Sequence, residues 1–176
     1  MIIGSFPIGK FSDPSRKHEI KKHEFDFFFG GEKNLLWKIL AEIYDVKFNN
    51  SEDIRSFLQK KGIALGDVII SCRRKNGGGS DSDLYDIQWN KDLLNHIDRH
   101  GIKTIFFTSK KVKDWFNKLF PESQHLEKVT LISPSGQSVR SLYRRDDYQE
   151  WIAKYPHKSK YDFIVADYRQ KFETHT

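Results

Sequence analysis

One segment has the residue spacing of a phosphate-binding loop. Residues 4–10 read GSFPIGK, which matches the pattern GxxxxGK, and they follow directly on a short apolar run. In nucleotide-binding proteins the backbone N–H groups and the lysine of such a loop hold phosphates. Two features depart from that pattern: Phe11 stands where a hydroxyl side chain would reach Mg²⁺, and Pro7 removes a backbone donor. Nucleotide binding is therefore one interpretation of this loop, and not the favoured one.

A second segment combines aromatic rings with a polar amide. Four of residues 25–29 are phenylalanines, and Gly30, Gly31 and Asn34 follow them. A phenylalanine ring can stack on a flat base, and an asparagine amide can hold a water molecule or a base edge. Phenylalanines at such positions also commonly belong to a hydrophobic core. The residues alone leave both interpretations open.

A third segment, SPSGQS at residues 133–138, carries only small side chains. A loop without bulk can enter a narrow groove of a nucleic acid. The arginines that follow it, Arg140, Arg144 and Arg145, suit contacts with phosphates. An ordinary connection between a strand and a helix has the same composition, so both interpretations stand here too.

Composition limits the partners and the chemistry. The 176 residues include 30 Lys+Arg and 24 Asp+Glu, a net charge of +6 that weakly favours an anionic partner. Cys72 is the single cysteine, which excludes an intrachain disulfide framework, a four-cysteine zinc site and a cysteine-ligated iron–sulfur cluster. The 7 histidines show no metal-ligand spacing, so we expect no metal site.

Length and hydropathy favour an ordinary intracellular domain. The chain has the length of one domain, and we expect residues 1–176 to form it as a monomer. Its apolar runs are too short to span a membrane, and it lacks the pattern of a signal peptide. We therefore expect a cytoplasmic protein with no membrane partner.

Four apolar runs predict the strands that must position these segments. They are continuous, as is typical of strands buried on both faces, and lie at residues 1–3, 67–70, 103–107 and 128–132. Segments with helical spacing lie at residues 34–44, 51–61, 90–100, 109–119, 145–155 and 161–172. This alternation predicts an α/β fold with a parallel sheet and helices on both faces.

The predicted sheet directs attention to the residues after each strand. In parallel sheets, ligands bind at the carboxyl ends of the strands. The residues that follow the four predicted strands are small, hydroxylic or basic, and lie at residues 4–7, 71–74, 108–111 and 133–136. We therefore expect these four segments to lie at one edge of the sheet.

Taken in order, the segments resemble the uracil-DNA glycosylase superfamily, nearest its mismatch-specific and hypoxanthine-type branches. The matching pieces are IIGSFP, FFGGEKNLLWKIL, GIALGDVIISC, GGSDSDL, IKTIFFTSKKVKDWF and LISPSG, which together cover most of residues 1–140. The resemblance implies a three-layer α/β/α sandwich with a four-stranded central parallel sheet. It also implies excision of a flipped, deaminated base, uracil or hypoxanthine, from DNA without a cofactor.

The resemblance assigns roles to individual residues. It makes Asn34 and Ser133 catalytic, and it makes Phe29 the ring that stacks on the extruded base. The expected base-binding residues are Gly4, Ser5, Phe6, Pro7, Phe29 and Ser71. The expected DNA-binding residues are Pro134, Ser135 and Gly136, which would fill the vacated stack, together with Arg73, Arg74, Arg140 and Arg144.

Two departures from the family pattern keep alternatives open. Phe6 stands where many active relatives have Asn or Asp, although hypoxanthine-type members also carry an apolar residue there. Ser133 replaces the leading His or Asn of the second motif and is a weaker donor to a leaving base. Glu24 or Asp26 would supply a stronger acid or base and so restore activity. The alternatives are a non-catalytic DNA or damaged-base binding protein on the same fold, and a nucleotide-binding protein that uses residues 4–10.

Overall fold

The computed structural model describes residues 1–75 and 80–175, so the GGSDSDL piece begins outside the described residues. In chain order the main elements are β1 (Ile2–Gly4), α1 (Gly9–Ser12), α2 (Leu36–Ile43), α3 (Ser51–Lys61), β2 (Leu65–Asp67), β3 (Ile69–Arg74), β4 (Leu84–Trp89), α4 (Leu93–Arg99), β5 (Thr104–Phe107), α5 (Lys110–Leu119), β6 (Glu127–Thr130), α6 (Gly136–Arg140), α7 (Asp146–Lys154) and α8 (Lys160–His175). Short 3₁₀ helices lie at Pro14–Glu19, Asp81–Asp83, Ser123–His125 and Ser141–Arg144.

The central sheet has four parallel strands in the order β2-β1-β5-β6. Successive side chains of β1 enter opposite layers. Ile2 packs with residues of α2, α3, α7 and α8, whereas Ile3 packs with residues of α4 and α5. This confirms the predicted three-layer α/β/α sandwich with a four-stranded parallel sheet.

The order in which the strands are added to the sheet reverses at β1. From β1 the chain proceeds to β2 on one side, and from β5 it proceeds to β6 on the other. In parallel sheets, ligands bind at the carboxyl ends of the strands where the order reverses in this way. The residues that follow β1 therefore lie where the fold favours a ligand.

Helix ends follow local signals in the sequence. The side chain of Asn50 accepts hydrogen bonds from the N–H groups of Glu52 and Asp53 and so caps α3, whose first residue is Ser51. Gly62 ends the same helix in the left-handed region, at φ +63°. Among the helices of the described residues, none combines the length and the apolar character that crossing a membrane requires.

The second strand differs from the prediction, which placed it at residues 67–70. It is β2, Leu65–Asp67, and the chain then leaves the central sheet to form an antiparallel hairpin of β3 and β4. The physical reason is that the apolar run is not buried on both faces, since the side chain of Ile70 is 58% exposed. Asp67 therefore stands at the carboxyl end of a central strand, and residues 71–74 lie in the hairpin.

Candidate functional site

Three residues meet where β1 and β2 end. Gly4 and Asp67 are paired in register, and a methyl group added at Gly4 would lie 2.6 Å from Asp67 Oδ1 and 2.8 Å from Phe29 Cζ. The carboxyl group and the ring can both lie against the strand because Gly4 has no side chain. We call this group of three residues the strand-end site. It unites two predicted residues, Gly4 and Phe29, with one that was not predicted.

The backbone of Phe29 is strained. Its φ of +56° lies in the left-handed region, which phenylalanine rarely adopts. Hydrogen bonds on either side hold the turn: Phe25 N donates to Gly30 O, and Gly30 N donates to Phe27 O, both at 3.0 Å. Such a conformation costs about 1–3 kcal/mol and is typical of functional sites. Here the strain directs the Phe29 ring toward Gly4 and Asp67.

Asp67 has an unusual carboxyl group. Burial, and to a smaller extent the nearby Asp81 carboxylate, raise its pKa to about 7. Across residues 1–75 and 80–175, no hydrogen bond or ion pair holds the Asp67 carboxyl oxygens. About half of this group is therefore neutral at pH 7. A neutral carboxyl group can donate one hydrogen bond and accept another.

Sequence reasoning missed Asp67 because it was assigned to the beginning of a strand. A signal was present, since Asp67 is the acid within an otherwise apolar stretch that runs over residues 63–70. An acid between apolar neighbours of a buried strand must either find a partner or shift its pKa. That rule would have marked Asp67 without any structure.

Ser5 joins a second carboxyl group to the site. Its Oγ donates a 2.8 Å hydrogen bond to Asp81 Oδ1. The carbonyl groups of Gly4 and Ser5 accept from Val68 N and Ile69 N, which fixes the loop after β1. The N–H of Ser5 donates to no acceptor within the described part of the chain, so it can donate to a ligand. This agrees with the role expected of the backbone near Ser5.

Asn34 lies beside the loop of residues 133–136. Leu35 N donates to Pro134 O and Gly136 N donates to Lys33 O, both at 2.9 Å. Asn34 Oδ1 accepts from Leu36 N at 3.0 Å and so holds the first turn of α2. Its Nδ2 has no partner among the residues that the structure describes. Any contact with a ligand therefore falls to Nδ2.

The loop of residues 133–136 is closed on itself. Ser133 Oγ donates to Ser135 Oγ at 3.3 Å, and Ser135 Oγ donates to Ser138 Oγ at 3.0 Å. Ser135 Oγ also accepts from Ser138 N and caps α6. Pro134 is buried, so its expected insertion into DNA does not fit its position. The Ser133 hydroxyl proton is committed to the loop, which weakens the catalytic role expected of Ser133.

The residues predicted from the second strand lie elsewhere. Ser71 is inside β3, where its Oγ donates to Gln88 Oε1 at 2.8 Å, so the prediction that Ser71 contacts a base at the sheet edge is wrong. Arg74 donates to the carbonyl oxygens of Phe6 and Pro7 at 3.3 and 3.5 Å, and it therefore supports the loop after β1. Arg73 is exposed and lies 3.5 Å from the Asp86 carboxylate.

Phe6 and Phe29 pack in different layers of the sandwich. Phe6 lies against the cluster that contains Ile3, whereas Phe29 lies against the cluster that contains Ile2. The two rings therefore do not pack against the same cluster. The strand-end site has the ring of Phe29 alone.

Lys10 and Glu24 form a largely buried ion pair that holds residues 10–32 together. Glu24 also accepts hydrogen bonds from the N–H groups of Lys21 and Glu32, at 2.9 and 3.0 Å. Burial alone would raise the pKa of Glu24, but these hydrogen bonds and the Lys10 charge lower it to about 2. Glu24 is thus neither a general acid nor a base at neutral pH. Because Glu24 holds Lys10, that lysine is not presented to a phosphate.

Replacing Glu24 with glutamine should destabilise the fold by up to about 3 kcal/mol at pH 7. The folded pKa is depressed, so this stability is present above pH 4.5 and is lost as the pH falls toward 2. Urea unfolding from pH 7 to pH 3 measures the difference between the two proteins. Glu150→Gln, at an exposed position, is the control and should change little. A variant as stable as the unaltered protein at pH 7 would show that the pair is dispensable.

Metal and thiol chemistry find no support in the site. Residues 1–75 and 80–175 contain no group of three Asp, Glu, His or Cys side chains that could hold a metal ion. Burial raises the pKa of the Cys72 thiol, so it is not an activated nucleophile.

A depression of about 500 Å³, lined by Trp151, Tyr155 and Arg169 among others, lies beside α7 and α8 and includes no predicted site residue.

Comparisons with known proteins add no relative. No family model matches this chain, and no curated protein sequence matches it significantly. The strand-end site and the segments around it are therefore the features from which a function can be inferred.

Proposed function

We propose that this protein is a DNA glycosylase that hydrolyses the N-glycosidic bond of a flipped, deaminated base, uracil or hypoxanthine. The observation that carries the proposal is the strand-end site. There a strained backbone directs the Phe29 ring to Gly4, beside a partly buried carboxyl group that has no hydrogen-bond or ion-pair partner among the described residues. The backbone on either side of Asn34 is hydrogen-bonded to the loop of residues 133–136, and both of these segments belong to the resemblance.

The strand-end site suits a base that has a lactam edge. Uracil and hypoxanthine present a carbonyl oxygen next to an N–H group. The neutral form of Asp67 donates to that carbonyl and accepts from that N–H, and the Phe29 ring stacks on the base plane. Extrusion of the base costs a few kcal/mol, and the cost is least for a mispaired base.

The reaction follows from where charge develops. As the bond between C1′ and the base nitrogen breaks, its electron pair goes to the base and C1′ becomes cationic. A donor at the base carbonyl, supplied by Asp67 and by Ser5 N–H, stabilises the developing negative charge. Asn34 Nδ2 holds the water or the base. The water oxygen bonds to C1′ and releases one proton to solvent, and the base anion takes up one proton from solvent, so that the products are the neutral free base and an abasic sugar.

Non-catalytic recognition of damaged DNA is a second candidate, favoured by one observation. The Ser133 hydroxyl, expected to donate to the leaving base, is engaged by Ser135. A protein with the same strand-end site, but without a free donor at Ser133, would bind the base without releasing it. The nucleotide-binding alternative has less support, because Lys10 is paired with Glu24 and α1 has only 4 residues.

The decisive experiment uses labelled oligonucleotides, single- and double-stranded, that carry one uracil or one hypoxanthine. After incubation with excess protein, alkali cleaves any abasic site, and we expect strand breaks at the lesion. Asn34→Asp keeps an oxygen for Leu36 N–H and removes Nδ2, so base release should fall about 10- to 1,000-fold with α2 intact. Exposed Asn95→Ala is the control.

Three outcomes separate the candidates. Strand breaks that depend on Asn34 support the glycosylase. No breaks with either lesion, combined with tighter binding of the lesion oligonucleotide than of an undamaged one, supports the non-catalytic binder. Breaks that Asn34→Asp leaves undiminished would assign the water contact to another residue.

A further inference from the structure

A half-exposed aromatic ring lies beyond the loop of residues 133–136. Tyr143 is 51% exposed, on the 3₁₀ helix Ser141–Arg144 that directly follows α6. The neighbouring Leu142 is buried, and Gln149 Nε2 donates to Tyr143 O at 2.6 Å. The backbone is therefore anchored while the ring faces solvent. An exposed ring on a fixed backbone loses little conformational entropy when a ligand stacks on it.

Cationic side chains from two elements surround this ring. The Arg144 guanidinium lies 5.2 Å from the ring centroid, and its Nε donates to the Tyr143 hydroxyl at 2.9 Å. Lys160, at the start of α8, places Nζ 5.5 Å from the same centroid and donates to Arg140 O at 3.2 Å. The helix α8 is thereby joined to the end of α6, next to the exposed Arg140.

These cations are not neutralised by the protein. In the described chain, no carboxylate lies within ion-pair distance of Arg140, Arg144 or Lys160. The next arginine, Arg145, shows the contrast, since it pairs with Asp147 at 2.6 Å. Arg144 and Lys160 border an exposed ring, and Arg140 lies at the adjoining end of α6, so this surface attracts anions and presents an aromatic ring to solvent.

We propose that Tyr143, Arg140, Arg144 and Lys160 form a stacking platform for an unpaired base of the DNA strand that flanks the lesion. The inference rests on the proposed function and specifies that the DNA partner has an unpaired base next to the lesion. A nucleic acid strand alternates phosphates with flat bases, and a ring bordered by cations complements that alternation. An acidic peptide would satisfy the cations and leave the ring uncovered. The platform predicts tighter binding of DNA whose flank is single-stranded.

Binding of an undamaged single-stranded thymidine oligonucleotide tests the platform without requiring base release. Tyr143→Ala should weaken binding about 5- to 100-fold, as expected for the loss of one stacked base, and Tyr143→Trp should restore it. Arg144→Gln and Lys160→Gln should each reduce the slope of log affinity against log salt by about 0.7. Tyr85→Ala, which removes a 43% exposed ring on β4, is the matched control.

Several results would overturn the platform. These are unchanged binding by Tyr143→Ala, an equal loss with Tyr85→Ala, or equally tight binding of polyglutamate. Thermal unfolding of Tyr143→Ala should match that of the unaltered protein, so weakened binding would not reflect misfolding. Tyr143-dependent binding without base release would refute the glycosylase and leave the platform standing. Base release with Tyr143-independent binding would refute the platform alone.

Discussion

Replacing Asp67 with asparagine should raise the free energy of unfolding at pH 8 by up to about 4 kcal/mol. Burial raises the pKa of this carboxyl group from 3.8 to about 7 in the folded chain, and each pKa unit corresponds to about 1.4 kcal/mol. The folded state therefore holds the proton more tightly than the unfolded state. The cost of Asp67 is absent below pH 4, grows between pH 4 and pH 7, and is complete above pH 7.

Urea unfolding of both proteins at several pH values measures this effect. The stability gained by Asp67→Asn should increase from pH 4 to pH 7 and then level off. Because other groups titrate equally in both proteins, the difference isolates Asp67. Asp92→Asn, at an exposed position at the start of α4, should show no such trend. A gain independent of pH would mean that Asp67 is ionised throughout.

The same substitution should reduce base release. An asparagine amide still donates and accepts, but it is a weaker donor than a carboxylic acid toward an oxygen that gains negative charge. In the unaltered protein, release should fall as the pH rises above about 7, because the neutral donor is then lost. Asp67→Asn should flatten that limb of the pH profile. Functional sites often contain residues that lower stability and support activity, and Asp67 should be such a residue.

The strands show which parts of the fold the sequence determines. The apolar runs that contain Ile2 and Ile105 are buried on both faces and form β1 and β5 as predicted, and the run that contains Val129 forms the edge strand β6. The run at residues 67–70 has the same composition, yet Ile70 is exposed in a hairpin. Composition cannot distinguish these two cases, because exposure depends on what covers each face of the strand.

The site was predictable where local chemistry decides contacts, and not where packing decides them. Asn34 precedes α2, and residues 133–136 lie between β6 and α6. The two segments meet because both helices begin at the same edge of the sheet. Phe6 and Phe29 were both expected to bind the base, but the chain after β1 packs Phe6 into one layer and Phe29 into the other. Nothing in the residue types fixes which layer a ring enters.

Gly30→Ala should be the most damaging small substitution in the site, costing about 3 kcal/mol or more and abolishing base release. A methyl group at Gly30 would lie 1.9 Å from Phe25 O and 2.9 Å from Phe27 O, both backbone atoms. Neither atom can move without opening the turn that holds Phe29 at φ +56°. For a chain of 176 residues such a loss lowers the melting temperature by about 6–12 °C.

The adjacent glycine provides the control for this prediction. A methyl group at Gly31 would meet only side-chain atoms, the nearest being Phe11 Cε2 at 3.3 Å, which can give way. Gly31→Ala should therefore cost less than about 1 kcal/mol and retain base release. Thermal unfolding gives the global effect, and limited proteolysis within residues 25–30 shows whether the turn alone opens. Equal effects of the two substitutions would contradict the prediction. Base release that survives Gly30→Ala with the turn opened would mean that the Phe29 ring does not act on the base.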